Sequence, residues 1–195
     1  MKLKTALLAT ALTSVAFAAS AQEVTVMSWG GAYTKSQVEA YHKPFTSETG
    51  IAINSVDSDN PATPIKAQVE AGNVTVDVAD VEFSDAVRLC DEGLLEEIDQ
   101  SILPAAPDGT AAADDFIDGA LQDCAVANIV WSTVFAYNKD NNPTAPDSID
   151  DFFNTADFPG KRGLRKSAKA TLEMALMADG VPAGEVYEVL DTDEG

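Results

Sequence analysis

Hydrophobic and polar positions change period several times along this chain, and each change marks an element. Val24-Thr25-Val26-Met27-Ser28-Trp29 reads as a short alternating strand, broken by Gly30-Gly31. Val38, Tyr41 and Phe45 then fall at helical spacing, with Pro44 expected to kink the helix and Gly50 to stop it. Ile51 to Val56 alternates again as a second strand, with Asp57, Ser58 and Asp59 at its end. Asn60-Pro61 is a good helix start, and Ile65 and Val69 give the buried face of a helix ending near Gly72. Val76 to Val81 predicts a third strand, and Ser84 is placed to cap a helix whose apolar face holds Ala86, Val87, Leu89 and Cys90 before Gly93.

Strand, helix, strand, helix, strand with short connections predicts a parallel, doubly wound α/β sheet. Its carboxyl edge would gather Trp29 and Tyr33, Asp57 and Asp59, and Glu82 and Ser84. Open α/β sheets bind ligands at that edge, and an aromatic and acidic group suits an organic cation. An ordinary polar turn explains Asp57 and Asp59 equally well, and a tight turn with Trp29 in the core explains the first glycines. Residues 101–119, rich in Ala, Asp, Pro and Gly, read as a surface excursion. Cys124 to Tyr137 follows as one long β-rich stretch that could cross from one domain to another. Beyond it, Asp147 is expected to cap a short helix around Phe152 and Phe153, and Arg162 to Arg165 could form a short strand. Two helical patterns follow, one through Leu172, Ala175 and Leu176 and one opened by Pro182.

Met1 to Ala21 departs from this plan. Lys2 and Lys4, an apolar run from Ala6 to Ala19 and Ala19-Ser20-Ala21 make a secretory signal with cleavage before Gln22. The formal charge is −20, and losing two lysines and no acid with the signal leaves −22. Such a charge disfavours nucleic acid and anionic membranes as partners and favours cationic ligands, although most of the carboxylates are simply a solvated surface. Cys90 and Cys124 are the two cysteines of a chain bound for an oxidising compartment, so a disulfide is expected, with two separate buried thiols as the alternative.

Catalytic patterns are scarce. His42 is the single histidine, read as a partly packed surface residue, and neither a Gly-x-Ser-x-Gly elbow nor a metal-binding spacing occurs. The reading is a binder without metal or cofactor, with a truncated secreted α/β enzyme as the alternative.

Several segments together carry a resemblance: the signal, Val26-Met27-Ser28-Trp29-Gly30-Gly31, Pro44 to Ile51, Asp77-Val78-Ala79-Asp80-Val81, Glu92 to Asp99, Trp131-Ser132-Thr133 and Phe158 to Gly163. In order and spacing they resemble the bacterial extracellular solute-binding proteins of ABC importers, in particular the spermidine/putrescine-binding branch. The resemblance implies a type II periplasmic-binding-protein fold of two doubly wound lobes that close on a ligand and then dock on an inner-membrane permease. It divides the chain into a signal peptide (1–21), a first lobe (22–125), and a crossing strand with a partial second lobe (126–195). A periplasmic monomer is expected.

The carry-over gives Trp29, Tyr33, Glu82, Ser84, Trp131 and Ser132 as ligand contacts. It also departs from the branch, since the second-lobe positions that hold acids in polyamine binders carry Ser167 and Ala170, amid Arg165, Lys166 and Lys169. Family members continue well past Gly195, so the second lobe reads as incomplete. The ligand implied is a small polyamine-like cation, and the next reading is a zwitterionic or carboxylate solute.

Overall fold

The computed structural model describes residues 22–193, so the expected signal peptide lies outside the described residues. Contacts divide the chain into two compact units, Met1–Asn128 and Ile129–Gly195.

The first unit is built on a three-stranded parallel sheet of order β2-β1-β3, comprising β1 (Glu23–Ser28), β2 (Ala52–Asp57) and β3 (Val78–Ala79). β1 is central. It pairs along its full length with β2, Glu23 opposite Ala52 and Ser28 opposite Asp57, and with β3 at Val26–Val78 and Met27–Ala79. The third strand is shorter than the alternation predicts. Past its two residues the backbone still bonds to β1, Asp77 N to Thr25 O and Asp80 N to Met27 O, while the Asp77 carboxylate accepts from Thr25 N at 2.7 Å. A side chain therefore takes the place of a ladder partner.

After Gly30 the chain enters α1 (Gly31–Gln37), widens into a π turn (Val38–His42) and continues as α2 (Lys43–Thr49). Pro44 explains the widening. Its ring crowds the carbonyl four residues back and it has no N–H to give, so the turn before it opens and Lys43 N bonds to Val38 O instead. Gly50, at φ +74°, ends the helix as expected. His42 differs from its reading as a surface residue: it is buried, with Nδ1 lacking a hydrogen-bond partner.

α3 (Ala62–Glu70) and α4 (Phe83–Asp91) follow. Asn60 Oδ1 accepts from Ala62 N at the start of α3, as a turn-forming side chain should. Ser84 does not cap α4. Glu82 occupies the N-cap and Ser84 lies exposed inside the first turn, because the chain is still extended at Glu82 (ψ 150°). Leu89 is fully buried, with Ala62, Ala86 and Met27 also in the core. On the surface Lys66 and Arg88 both reach Glu92, at 2.9 and 3.0 Å, tying α3 to α4 and holding the Glu92 carboxyl below its usual range. Cys90 and Cys124 are joined, Cα atoms 5.8 Å apart, and Ile98 N bonds to Asp123 O beside them. The excursion between carries a 3-10 turn (Gln100–Ile102) and the single turn α5 (Ala112–Asp115).

The expected crossing strand is not formed. One antiparallel bridge, Leu121–Val126, precedes Asn128, and residues 129–138 have no ladder partner among the described residues, leaving Val130 and Val134 76% and 80% exposed. Apolar, β-branched composition makes a segment suitable for a sheet but does not supply the neighbouring strand. In this second unit α6 (Ile149–Phe153) is capped by Ser148, whose Oγ accepts from Asp151 N, while Asp147 N donates to Asp151 Oδ2. Ser148 thus takes the predicted capping role from Asp147, and the Asp151 carboxylate reaches back one residue beyond the cap to the Asp147 N–H. Arg162 to Arg165 form no strand. Instead the Arg162 guanidinium stacks on Phe152, 5.7 Å from the ring centre, and donates to the carbonyls of Phe152, Asn154, Phe158 and Gly160. It thereby satisfies the open end of α6. α7 (Thr171–Ala178) and α8 (Val186–Leu190) complete the unit.

Candidate functional site

The strand order places a topological switch at β1, since the chain turns from it to β2 on one side and reaches β3 on the other. A crevice at the carboxyl ends of β1 and β3 is the place where such sheets hold ligands. Ser28 ends β1 and is fully buried. Asp80 follows β3, and its bond to Met27 O draws it alongside Ser28. α1 then presents Tyr33 and Gln37, four residues apart and so on one helix face.

These four side chains form one network. Gln37 Nε2 donates to Asp80 Oδ2 at 2.6 Å, and the Tyr33 hydroxyl donates to the same oxygen at 2.7 Å. The buried Ser28 hydroxyl donates to Gln37 Oε1 at 2.6 Å, so its 3.4 Å approach to Asp80 is a secondary contact. Asn128 Oδ1 lies 3.3 Å from the Tyr33 hydroxyl. Burial, the hydrogen bond to Asp80 and that carboxylate's charge all push the Tyr33 phenol above its ordinary range. The neutral phenol therefore adds stability that is full below about pH 10 and is lost as pH rises through the folded value.

The Gly30 turn sets α1 against the strand ends. Gly30 sits at φ +80°, its N–H donates to Thr34 Oγ1 at 2.7 Å, and a Cβ there would meet Asp57 Oδ2 at 3.1 Å. Gly30→Ala combines a left-handed backbone with a close contact, and is expected to cost about 1–3 kcal/mol. Urea denaturation of the two proteins measures it, and a change below about 0.5 kcal/mol would show that the turn tolerates a side chain.

Of the residues read from sequence, Tyr33 is in the network. Trp29, partly buried, directly follows Ser28, and Glu82 stands two residues beyond Asp80. Ser84 is exposed on α4. Trp131 and Ser132 are exposed in the second unit, which has its own cleft of about 590 Å³. That cleft is lined from Thr133 onward and includes Tyr137, Asp151, Lys161, Arg162 and Arg165, so neither Trp131 nor Ser132 lines it. Sequence reading missed Ser28, Gln37, Asp80 and Asn128. The available signal was a polar residue closing an apolar strand at Ser28 and again at Asp80. Among the described residues no group of three or more His, Cys, Asp or Glu could hold a metal, and no helix is long and apolar enough to cross a membrane.

A parallel sheet whose switch point gathers a network of polar side chains is the setting in which open α/β sheets hold small ligands. The model of the bacterial extracellular solute-binding protein family matches residues 40–195, and the chain belongs to that family. The gamma-aminobutyric acid-binding protein of Pseudomonas aeruginosa is 45% identical over 188 residues, which is 94% of this chain and 51% of that protein. Among solved structures, MotA of A. tumefaciens B6 in complex with glucopine superposes with a TM-score of 0.80 at 33% identity, covering 89% of this chain and 51% of MotA. The Atu4243 GABA receptor gives 0.70 at 36% identity, with 89% and 51% covered.

The chain thus spans about half the length of the relatives it matches. These neighbours are type II periplasmic binding proteins, and the α/β architecture here corresponds to about half of that fold. The relatives are solute-binding proteins, not enzymes. Their names carry GABA and glucopine, so they do not support the narrower expectation of a spermidine/putrescine binder.

Proposed function

We propose that this chain belongs to the periplasmic substrate-binding subunit of an ABC importer and that its solute is a small zwitterion, an amine joined to a carboxylate, with GABA as the leading candidate. The observation that carries the proposal is the 45% identity, over 94% of the chain, to a protein named for binding gamma-aminobutyric acid. The side chains agree with it. Taken alone, the first unit offers acceptors and an aromatic face for an ammonium, Asp80, Tyr33 and Trp29. Taken alone, the second unit lines its cleft with Lys161 and Arg165, and Ser167 and Ala170 stand where a polyamine binder would carry acids. Asp151 also lines the cleft, but its carboxylate is engaged by Asp147 N. Taken by itself, a cleft lined by such bases suits a carboxylate better than a second ammonium.

In this reading the amino-terminal segment is the export signal, and the loaded protein docks transiently on an inner-membrane permease. Deleting the gene in its source organism is expected to remove most high-affinity uptake of radiolabelled GABA and to leave putrescine uptake intact. Lost putrescine uptake with unchanged GABA uptake would reverse the assignment.

A further inference from the structure

We infer that Asp80 is a positioning residue that fixes the polarity of Tyr33: by taking the only proton of the phenol, it leaves the Tyr33 oxygen to meet a ligand solely as an acceptor, so the first unit receives the N–H end of the solute. The inference rests on the preceding reading that the solute contains an amine, and it adds which residue sets the direction of the hydrogen bond.

A phenol carries one hydrogen. At 2.7 Å from Asp80 Oδ2 that hydrogen is committed to a carboxylate, the strongest acceptor within reach. The carboxylate is itself held. Gln37 Nε2 donates to the same oxygen at 2.6 Å, and the Gln37 amide has its orientation set by the buried Ser28 hydroxyl, which donates to Oε1. Swinging Asp80 away from Tyr33 would break a buried chain of hydrogen bonds, so the polarity of Tyr33 is built into the end of β1.

The exposed Asn128 Oδ1 lies 3.3 Å from the Tyr33 oxygen, a longer approach than the 2.7 Å to Asp80, so the phenol proton stays on the carboxylate and the far side of the phenol, beside this further acceptor, suits an N–H donor. Asp80 Oδ1, which has no hydrogen-bond partner among the described residues, adds a second acceptor. An ammonium satisfies both, while a carboxylate would bring only further acceptors and leave them unpaired.

The test compares GABA with 4-(trimethylammonio)butanoate, which keeps both charges and the chain length but has no N–H, and with butanoate, which has no amine. Calorimetry is run on the 195-residue chain, Tyr33→Phe and Asp80→Asn. The unaltered chain is expected to prefer GABA over its trimethyl analogue by about 10- to 100-fold, the range for a hydrogen bond to a charged group. Tyr33→Phe should shrink that preference toward unity. Steric exclusion of the methyl groups would survive this variant, because losing one hydroxyl frees little room. Asp80→Asn keeps an oxygen where Gln37 Nε2 and the phenol both donate but removes the carboxylate's charge, so it should weaken GABA while leaving butanoate no weaker. A preference unchanged in Tyr33→Phe, or an Asp80→Asn variant that weakens GABA and butanoate equally, overturns the inference.

If the chain binds no amine, the importer reading is what fails, and a ligand-free measurement then decides this inference by itself. Ultraviolet titration, with Tyr33→Phe subtracted to isolate the signal, should show Tyr33 ionising at clearly lower pH in Asp80→Asn than in the unaltered chain, with burial still holding it above its ordinary range in both. Equal ionisation in both would remove the Asp80 bond on which the inference stands.

Discussion

Replacing Cys90 and Cys124 together by serine is expected to lower the stability of the first unit by about 3–4 kcal/mol, the chain-entropy value for a loop of this length. The bond closes 34 residues of separation, joining the end of α4 to the turn that leads out of the unit. Little else holds that stretch. Between the two cysteines the chain has a 3-10 turn and one four-residue helix, and its return is secured by Ile98 N to Asp123 O and by the single bridge at Leu121 and Val126. Few side chains of the unit are fully buried, Leu89 beside Cys90 among them, so the core has little in reserve to offset the freed loop. Denaturation of the oxidised chain and of the double serine variant measures the difference, and adding reductant to the unaltered chain should reproduce it. A change below about 1 kcal/mol would mean that the hydrogen bonds around Asp123 hold the loop unaided.

The parts of the fold that were legible are those decided by local chemistry. β1 and β2 follow from alternation, and the helix after Gly30-Gly31 ends where Gly50 turns left-handed. Pro44 announced a disturbance but not its form, because a π turn and a kink relieve the same clash. The element that failed, the crossing strand over residues 124–137, depends on a partner that its own residues cannot specify.

The site divides in the same way. Tyr33 was reachable through family resemblance. Asp80 was not, since it is one of 32 acidic residues and reads as the polar half of an alternating strand. Only the register of β3 against β1, which sets Met27 opposite Ala79, brings Asp80 to Ser28 and Gln37. Ser84 shows the reverse error: a good capping residue lies two positions inside the actual cap, because the backbone at Glu82 is still extended.

The second large effect concerns the ligand. A solute with one ammonium and one carboxylate is expected to bind at least about 100-fold more tightly than a diamine of the same length, a difference of about 2.7 kcal/mol. Charge-assisted hydrogen bonds contribute roughly 1.5–3 kcal/mol each, so exchanging a carboxylate for a second ammonium forfeits at least one of them. It also sets a cation against groups such as Lys161 and Arg165. GABA and putrescine form the matched pair, with equal carbon chains and different termini. Because the chain spans about half of its relatives' length, the ratio of affinities carries the test and the absolute affinity does not. The decisive measurement is isothermal titration of both compounds into the 195-residue chain and into the Pseudomonas aeruginosa relative as a reference. The account predicts heat from GABA and an affinity ratio of about 100 or more in its favour, and putrescine binding as tightly as GABA, or more tightly, would contradict it.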